Sequence, residues 1–198
     1  MTATGQGRGG EVRVSNRLPP RLSLCMILKD EAFFLARCLD AVAEFVDEMV
    51  LVDTGSSDNT LEICRQYTCQ VFEFPWVDNF AAARNYSLTQ ARGDWILVLD
   101  ADEVIARSDL QMLRSLLAHT DDDVFLLNQL NYSNDPTERD WQPVVGDHIF
   151  GWAYAGFRVN PIARLFRNRP DIRYVGKVHE VIDLADERIR EATPNVPI

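Results

Sequence analysis

Short apolar runs alternate with helix-like segments through the first half of the chain, and this alternation restricts the possible fold more than any other feature. The runs lie at 22–28, 49–52, 71–74 and 95–99. The segments between them carry apolar residues at helical spacing or helix-capping side chains. Strand–helix alternation predicts an α/β domain with a mostly parallel sheet and helices on both of its faces.

Capping residues and periodicity predict where the helices begin and end. The first helix is expected over 32–45, and Asn59-Thr60-Leu61-Glu62 resembles a capping box that opens a helix to Tyr67. Asp78 is expected to cap a helix that ends at Ala91, just before Gly93. The later elements are predicted as a helix at 108–118, a strand at 124–132, a strand face carrying Phe150, Trp152 and Tyr154, and a charged helix over 183–191.

Length and charge exclude several classes of protein. A chain of 198 residues suits one domain, and a net charge of −10 repels nucleic-acid phosphates, so no nucleic-acid partner is expected. No apolar run approaches the ~20 residues of a membrane helix, which predicts a cytoplasmic protein without an integral membrane segment. Residues 1–21 are predicted to be a flexible basic arm, and 22–198 a single domain. The four cysteines are interpreted as buried thiols.

Polar clusters follow three of the apolar runs. They are Lys29-Asp30-Glu31, Asp53-Thr54-Gly55-Ser56 and Asp100-Ala101-Asp102-Glu103. In open α/β sheets, ligands bind beyond the carboxyl ends of the strands. These clusters are therefore expected to meet in one cleft.

Asp100 and Asp102 flank one small residue, so both carboxylates can reach the same cleft. Such a pair attracts Mg²⁺ or Mn²⁺, which completes its coordination with substrate phosphates. An isolated Asp-x-Asp can instead cap a helix or face solvent. Asp53 favours the ligand hypothesis, because its carboxylate can accept from a base N–H or a ribose hydroxyl, while Asp58 or Asn59 can supply the turn chemistry.

These segments resemble the nucleotide-sugar glycosyltransferases of the GT-A fold, specifically glycosyltransferase family 2. The resemblance is carried by 24–31, 52–60, Ala83-Arg84-Asn85 and 97–103. Residues 176–180, Gly-Lys-Val-His-Glu, are similar to a Val-His-Glu segment found in a subgroup of these enzymes. The fold it implies has a nucleotide-binding part at 22–130 and a small antiparallel acceptor-side part at 131–198.

The resemblance implies a role for each matching position. Asp53 would bind the nucleotide base, and Asp102 and His179 would hold a Mn²⁺ or Mg²⁺ ion that bridges the two phosphates of the donor. Asp100 would lie near the ribose and donor sugar, and Arg84 near the base or diphosphate. The remaining donor-binding positions are Lys29, Glu31, Thr54, Gly55, Ser56, Asn85 and Ala101.

Family 2 enzymes invert the anomeric configuration, so the resemblance implies one general base that deprotonates the acceptor. The candidates are Glu180, ranked first, and Asp147 in the polar loop. Glu180 can alternatively be a surface carboxylate paired with Lys177 or Arg173. The acceptor is expected to be a glycan, a lipid or a peptide, and the donor a UDP-sugar.

Two other functions compete with the transferase hypothesis. Asp100-Ala101-Asp102-Glu103-Val104 also fits haloacid-dehalogenase-like phosphatases, with Asp100 as nucleophile and Lys177 as the downstream lysine. A sugar-nucleotide-binding module without turnover is the other alternative, because only 18 residues follow Glu180 whereas family members usually continue with acceptor-binding helices. A truncated C-terminus or a second subunit, as in a homo-oligomer, would account for this shortness. A dinucleotide-binding dehydrogenase is excluded because the turn after the first strand, Lys29 to Phe33, has no glycine that would let a pyrophosphate approach the backbone.

Overall fold

A computed structural model describes residues 19–145 and 153–198. Four helices are described: α1 (Leu35–Val42), α2 (Thr60–Cys64), α3 (Phe80–Gln90) and α4 (Arg107–Leu117). Ten strands are described: β1 (Leu22–Leu28), β2 (Glu48–Asp53), β3 (Gln70–Glu73), β4 (Trp95–Val98), β5 (Val124–Ser133), β6 (Gln142–Pro143), β7 (Gly156–Arg167), β8 (Tyr174–Val175), β9 (Val181–Ile182) and β10 (Glu191–Ala192). Most of the predicted arm, residues 1–18, lies outside this description.

The main sheet joins the two halves of the chain. Its strand order is β10-β5-β7-β4-β1-β2-β3, with β6 paired to β7. The strands β4, β1, β2 and β3 are parallel, as the alternation predicts. The expected antiparallel part is present and lies inside the main sheet, where β7 pairs antiparallel along the whole of β5, with β4 and with β6. The mixed α/β fold with a mostly parallel centre is confirmed.

Two apolar layers cover the two faces of the sheet. Alternate residues of β1, such as Leu24 and Met26, pack in a layer with the buried faces of α1 and α4, whereas Cys25 packs in a second layer with Ala81 and Leu88 of α3. This follows from the period of two along a strand, which sends successive side chains to opposite faces. The prediction of helices on both faces is confirmed.

Two predicted helix caps are shifted by one residue. Asn59 makes no capping hydrogen bond with its side chain, and Asp58 Oδ1 instead accepts from the backbone N–H of Thr60 at 2.9 Å. Asp78 adopts a left-handed φ of 52° and accepts from Trp76 Nε1, while Asn79 Oδ1 caps α3 by accepting from the Ala82 N–H at 3.0 Å. Asp and Asn share capping chemistry, so local geometry decides between neighbours.

The predicted charged helix over 183–191 is wrong. Asp183 Oδ1 accepts from the N–H of Ala185, and Asp186 Oδ1 accepts from the N–H of Arg188. Such local bonds hold the backbone in turns and compete with helix formation. The segment ends in β10, which pairs with β5.

The other structural predictions have mixed outcomes. Tyr154 lies before β7 rather than on a strand face, and Phe150 and Trp152 lie outside the described residues. Cys25, Cys38 and Cys64 are buried free thiols as predicted, whereas Cys69 is only partly buried. Among the described helices, none has the length and apolar character needed to cross a bilayer.

Candidate active site

The loops after β1 and β2 form one hydrogen-bonded unit at the carboxyl edge of the sheet. Lys29 Nζ donates to the carbonyl oxygen of Gly55 at 3.0 Å. The backbone N–H of Ser57 donates to Asp30 Oδ1 at 2.6 Å, and the N–H of Asp30 donates to Ser56 Oγ at 2.9 Å. The two predicted polar clusters therefore lie together, because β1 and β2 are parallel neighbours.

Asp53 is buried and shapes the second of these loops. Its Oδ2 accepts from the N–H groups of Gly55 at 3.0 Å and Ser56 at 3.1 Å. Gly55 has a φ of 111°, a left-handed conformation that favours glycine. Thr54 Oγ1 donates to the carbonyl oxygen of Leu28, which fastens the loop to β1. Asp53 therefore supplies turn chemistry of its own, in addition to the bonds that Asp58 accepts from Thr60 and Ala32.

Glu31 lies where several carboxylates converge. Burial raises the pKa of its carboxyl, and repulsion from Asp102 and Asp100 raises it further. Its backbone N–H donates to Thr60 Oγ1 at 2.7 Å. Asp102 is exposed and makes no hydrogen bond or ion pair with any residue in 19–145 or 153–198. The cluster that follows β4 therefore projects negative potential toward the loop after β1.

Two arginines hold Asp100. Arg84 Nη2, from α3, donates to Asp100 Oδ1 at 2.7 Å, and Arg164 Nη2, from β7, donates to Asp100 Oδ2 at 2.5 Å. Both guanidinium groups are buried, whereas the Asp100 side chain is 36% exposed. Burial alone would raise the pKa of this carboxyl, but the charges of Arg164 and Arg84 outweigh it and lower the pKa to about 2. Asp100 is therefore a fixed anion.

Arg164 was not predicted as a site residue. It also donates to the buried Glu103 Oε1 at 2.6 Å, and Glu103 Oε2 accepts from the backbone N–H of Asp100 at 2.9 Å. Burial raises the pKa of Glu103, although Arg164 opposes that shift. The sequence feature that could have identified Arg164 is its position within the apolar stretch Ile162 to Phe166. A charged side chain in such a stretch is seldom buried without a partner of opposite charge.

The segment that carries Glu180 is brought to the same place by the β8–β9 hairpin. Arg84 Nε donates to Glu180 Oε1 at 2.5 Å, and the Glu180 side chain is only 11% exposed. Glu180 is therefore not the surface partner of Lys177 or Arg173 that the sequence allowed. The Asn85 side chain exchanges two hydrogen bonds with the backbone of Tyr174, at 2.8 and 2.9 Å, which anchors β8 to α3.

Two cavities flank the aspartate pair. One, of about 340 Å³, is lined by Asp100, Arg84, His179 and Glu180, with apolar residues from β5 and β7. The other, of about 590 Å³, is lined by Asp102 and the buried Ala101, with residues from β5 and the loop before α1. Asp102 and His179 thus line different cavities, and Gln129 lines both. The alternative base, Asp147, lies outside the described residues.

The exposed carboxylate of Asp102 suits a hard divalent cation that is shared with a substrate. Asp102 offers an exposed carboxylate and His179 an exposed imidazole, while both oxygens of Asp100 are occupied by arginines. Within 19–145 and 153–198, no group of three or more His, Cys, Asp or Glu side chains could hold a metal by itself. Mg²⁺ commonly binds through one or two carboxylates and completes its coordination with phosphate oxygens.

Comparisons with known proteins identify the family. The model of glycosyl transferase family 2 matches residues 23–175. A TPR repeat-containing protein of Synechococcus elongatus is 37% identical over 177 residues, which cover 88% of this chain and 38% of that protein. An uncharacterized glycosyltransferase of Rickettsia felis is 29% identical over 127 residues, covering 62% of this chain and 44% of that protein. The chain therefore spans less than half the length of either relative.

Solved structures agree with the fold. The crystal structure of S. aureus TarS 1-349 in complex with UDP has a TM-score of 0.58 and 17% identity, covering 88% of this chain and 60% of that one. This similarity supports the GT-A architecture. Together with the family match, which extends over most of the chain, it excludes the phosphatase alternative. The chain belongs to glycosyl transferase family 2.

Proposed function

We propose that this chain is a metal-dependent, inverting glycosyltransferase that moves a sugar from a UDP-sugar to an acceptor nucleophile. The observation that carries the proposal is the convergence of the Asp53 loop, Arg84, Asp100 and Asp102 at one edge of the sheet, in a family 2 chain. TarS, which shares the fold, was crystallised with UDP and with UDP-GlcNAc.

The nucleoside would bind against the loops after β1 and β2. Lys29 and Asp53 hold the Gly55–Ser56 turn in one conformation, so the turn needs little reorganisation when a ligand arrives. Asp53 would accept from the base, and Glu31 would accept from a ribose hydroxyl. The donor pocket would also be shaped by Thr54, which fastens the loop after β2 to β1, and by Asn85, which anchors β8 to α3. Ala101 would contribute as the small residue between Asp100 and Asp102.

The diphosphate would lie between the aspartate pair and Arg84. A divalent cation held by Asp102 would stabilise the negative charge that develops on the leaving group. His179, which lines the other cavity, would contact the diphosphate. Arg84 would add a fixed positive charge, and Asp100 keeps that guanidinium in place. Because Asp100 remains ionised at neutral pH, it offsets the arginine charges rather than competing for the phosphates.

Glu180 is the proposed general base. Arg84 binds its Oε1, which leaves Oε2 to accept the proton of an acceptor hydroxyl in the same cavity as His179. One base suffices when the acceptor attacks from the face opposite the diphosphate. Asp147 remains the alternative base.

A binding experiment with a matched control tests the donor site. UDP with Mn²⁺ should raise the melting temperature of the wild-type chain, and Asp102→Asn should abolish most of that increase because it removes the exposed carboxylate. Asp121→Asn is the control, since Asp121 is 92% exposed and lies at the start of the loop before β5. The absence of any stabilisation by nucleoside diphosphates with Mn²⁺ would contradict the proposal.

A turnover experiment separates catalysis from binding alone. Wild-type protein with Mn²⁺ should release UDP from a UDP-sugar slowly in water and faster with an acceptor. Glu180→Gln should reduce the acceptor-dependent rate about 10²-fold or more, as expected for loss of a general base. Stabilisation by UDP without any release of UDP would indicate a binding module.

A further inference from the structure

We infer that Tyr174 is a positioning residue for the reaction: the face of its ring holds Arg84 where that guanidinium orients Glu180. The inference rests on the proposed transferase function. Tyr174 lies in β8, the first strand of the hairpin that carries Glu180, and its side chain is buried. It lines the same cavity as Arg84 and Glu180. Tyr174 therefore belongs both to the hairpin and to the wall of the cavity that holds the proposed base.

The Arg84 guanidinium has hydrogen-bond partners at two of its three nitrogens. Nε donates to Glu180 and Nη2 to Asp100, whereas Nη1 is buried and has no hydrogen-bond acceptor among the described residues. Arg84 Cζ lies over the Tyr174 ring, 5.5 Å from its centroid. An aromatic face attracts a cation within about 6 Å, and does so more strongly where water is excluded. The ring therefore supplies a third contact to a buried charge whose hydrogen bonds are incomplete.

The ring, rather than the hydroxyl, makes this contact. Tyr174 Oη is buried and has no hydrogen-bond partner within 19–145 and 153–198. Burial raises the pKa of the hydroxyl, so it stays protonated at neutral pH and presents no negative charge to Arg84. A buried hydroxyl without a partner has lost its hydration and gained nothing in exchange. Removal of the hydroxyl alone should therefore be harmless, whereas removal of the ring should not.

Tyr174 is itself held from two sides. Asn85 Nδ2 donates to its carbonyl oxygen at 2.8 Å, and Asn85 Oδ1 accepts from its N–H at 2.9 Å. Phe166 of β7 packs edge to face against its ring, with centroids 6.1 Å apart. Because Asn85 follows Arg84 on α3, the helix, the ring and the hairpin form one closed set of contacts that ends at Glu180. Without the ring, Arg84 could turn, and Glu180 Oε2 would lose its fixed direction.

The test is the release of UDP from a UDP-sugar in water with Mn²⁺, a reaction in which the base must activate a water molecule. The donor is whichever of UDP-glucose, UDP-galactose and UDP-GlcNAc the wild-type chain uses fastest. Tyr174→Leu should lower kcat at least about tenfold, because the ring face is lost. It should change KM by less than about threefold, since the nucleoside loops and Asp102 are untouched. Tyr174→Phe keeps the ring face and should hold kcat within about twofold of wild type without lowering the melting temperature.

Two further variants separate the ring face from packing. Phe125→Leu is the control, because Phe125 is also buried but stacks on Trp95 in the other apolar layer. It should lower the melting temperature and leave kcat unchanged when all variants are assayed well below their melting temperatures. A phenylalanine with a trifluorinated ring, incorporated at position 174, keeps the shape of the ring and withdraws electron density from its face. Its kcat should be at least about fivefold below that of Tyr174→Phe, and this comparison does not depend on the folding of the leucine variant.

An unchanged kcat in Tyr174→Leu, an equal loss in Tyr174→Phe, or equal activity of the fluorinated and unfluorinated rings would overturn the inference. An equal loss in Phe125→Leu would also overturn it, because activity would then follow stability alone. Wild-type protein that releases no UDP from any of the three donors would instead refute the proposed function, and the inference with it.

Discussion

At the scale of single residues, the site is organised around Asp100 rather than Asp102. Arg84 and Arg164 each donate to a different oxygen of Asp100, and each also binds a glutamate, Glu180 or Glu103. The two arginines, Asp100 and the two glutamates therefore form one ion-pair network, in which every side chain has a partner of opposite charge. Asp102 stands outside it and is available for a ligand.

Removing Arg164 should destabilise the fold strongly. Arg164→Met would leave Glu103 buried without its cation, and breaking a buried ion pair from one side costs about 3 to 5 kcal/mol. The free energy of unfolding in urea at pH 7 measures this change. Arg158→Met on the same strand is the control, because its pair with Glu138 is half exposed and should contribute about 0 to 1 kcal/mol. Equal effects of the two substitutions would contradict the buried network.

The stabilising contribution of Asp100 should depend on pH. Its pKa is lowered to about 2 from an ordinary value of 3.8, so its contribution is present above about pH 4 and is lost as pH falls toward 2. The difference in unfolding free energy between wild type and Asp100→Asn should therefore be largest at pH 6 and smaller at pH 3. A difference that stays constant over this range would show that Asp100 is not held by the arginines.

At the scale of secondary structure elements, small side chains decide where the helices begin. Asn59 and Asn79 both precede a helix, but only Asn79 uses its side chain as a cap. Gly93 has a different role, because a Cβ there would lie 2.8 Å from the backbone nitrogen of Ser23. Because Gly93 has no side chain, the loop before β4 can pack directly against β1. Gly93 does not adopt the left-handed conformation of a helix cap.

The two asparagines form a matched pair for mutation. Asn79→Ala should cost about 0.5 to 2 kcal/mol, since it removes the acceptor for the Ala82 N–H at the start of α3. Asn59→Ala should change the unfolding free energy very little. Urea denaturation of the two variants gives the comparison, and a larger loss for Asn59→Ala would refute the assigned caps.

At the scale of the whole molecule, residues far apart in sequence complete the sheet and its core. β7 lies between β4 and β5, and residues 196–198 hydrogen-bond to β5 through Asn128 and Leu130. Val196 is fully buried and Ile198 is 8% exposed. The final described residues therefore belong to the same core as β1 and α1.

Val196→Ala should destabilise the whole domain. Loss of two buried methyl groups corresponds to about 1.5 to 3 kcal/mol once the cavity is included. Val159→Ala, where the side chain is 37% exposed on β7, should cost less. Calorimetry should show a single transition that moves to lower temperature in Val196→Ala, whereas an unchanged midpoint would mean that the tail does not pack as described.

Local patterns predicted much of the fold but less of the site. The strands β1 to β4 and the helix α4 could be predicted because the spacing of apolar residues within a short segment distinguishes strands from helices. The prediction of a helix over 183–191 was wrong because the side chains of Asp183 and Asp186 accept hydrogen bonds from nearby backbone N–H groups and hold the segment in turns. Arg164 was missed because its partners come from another strand and loop.

The sequence by itself determined which segments become the parallel strands and which polar residues stand at their carboxyl ends, since both depend on neighbouring residues. Only the tertiary structure decided that Arg84 binds Glu180, 96 residues away, and that Arg164 binds Asp100, 64 residues away. These pairs depend on the order of β4, β7 and β5 in the sheet and on the hairpin that carries Glu180. Strand order is set by packing of the whole chain, and no local pattern encodes it.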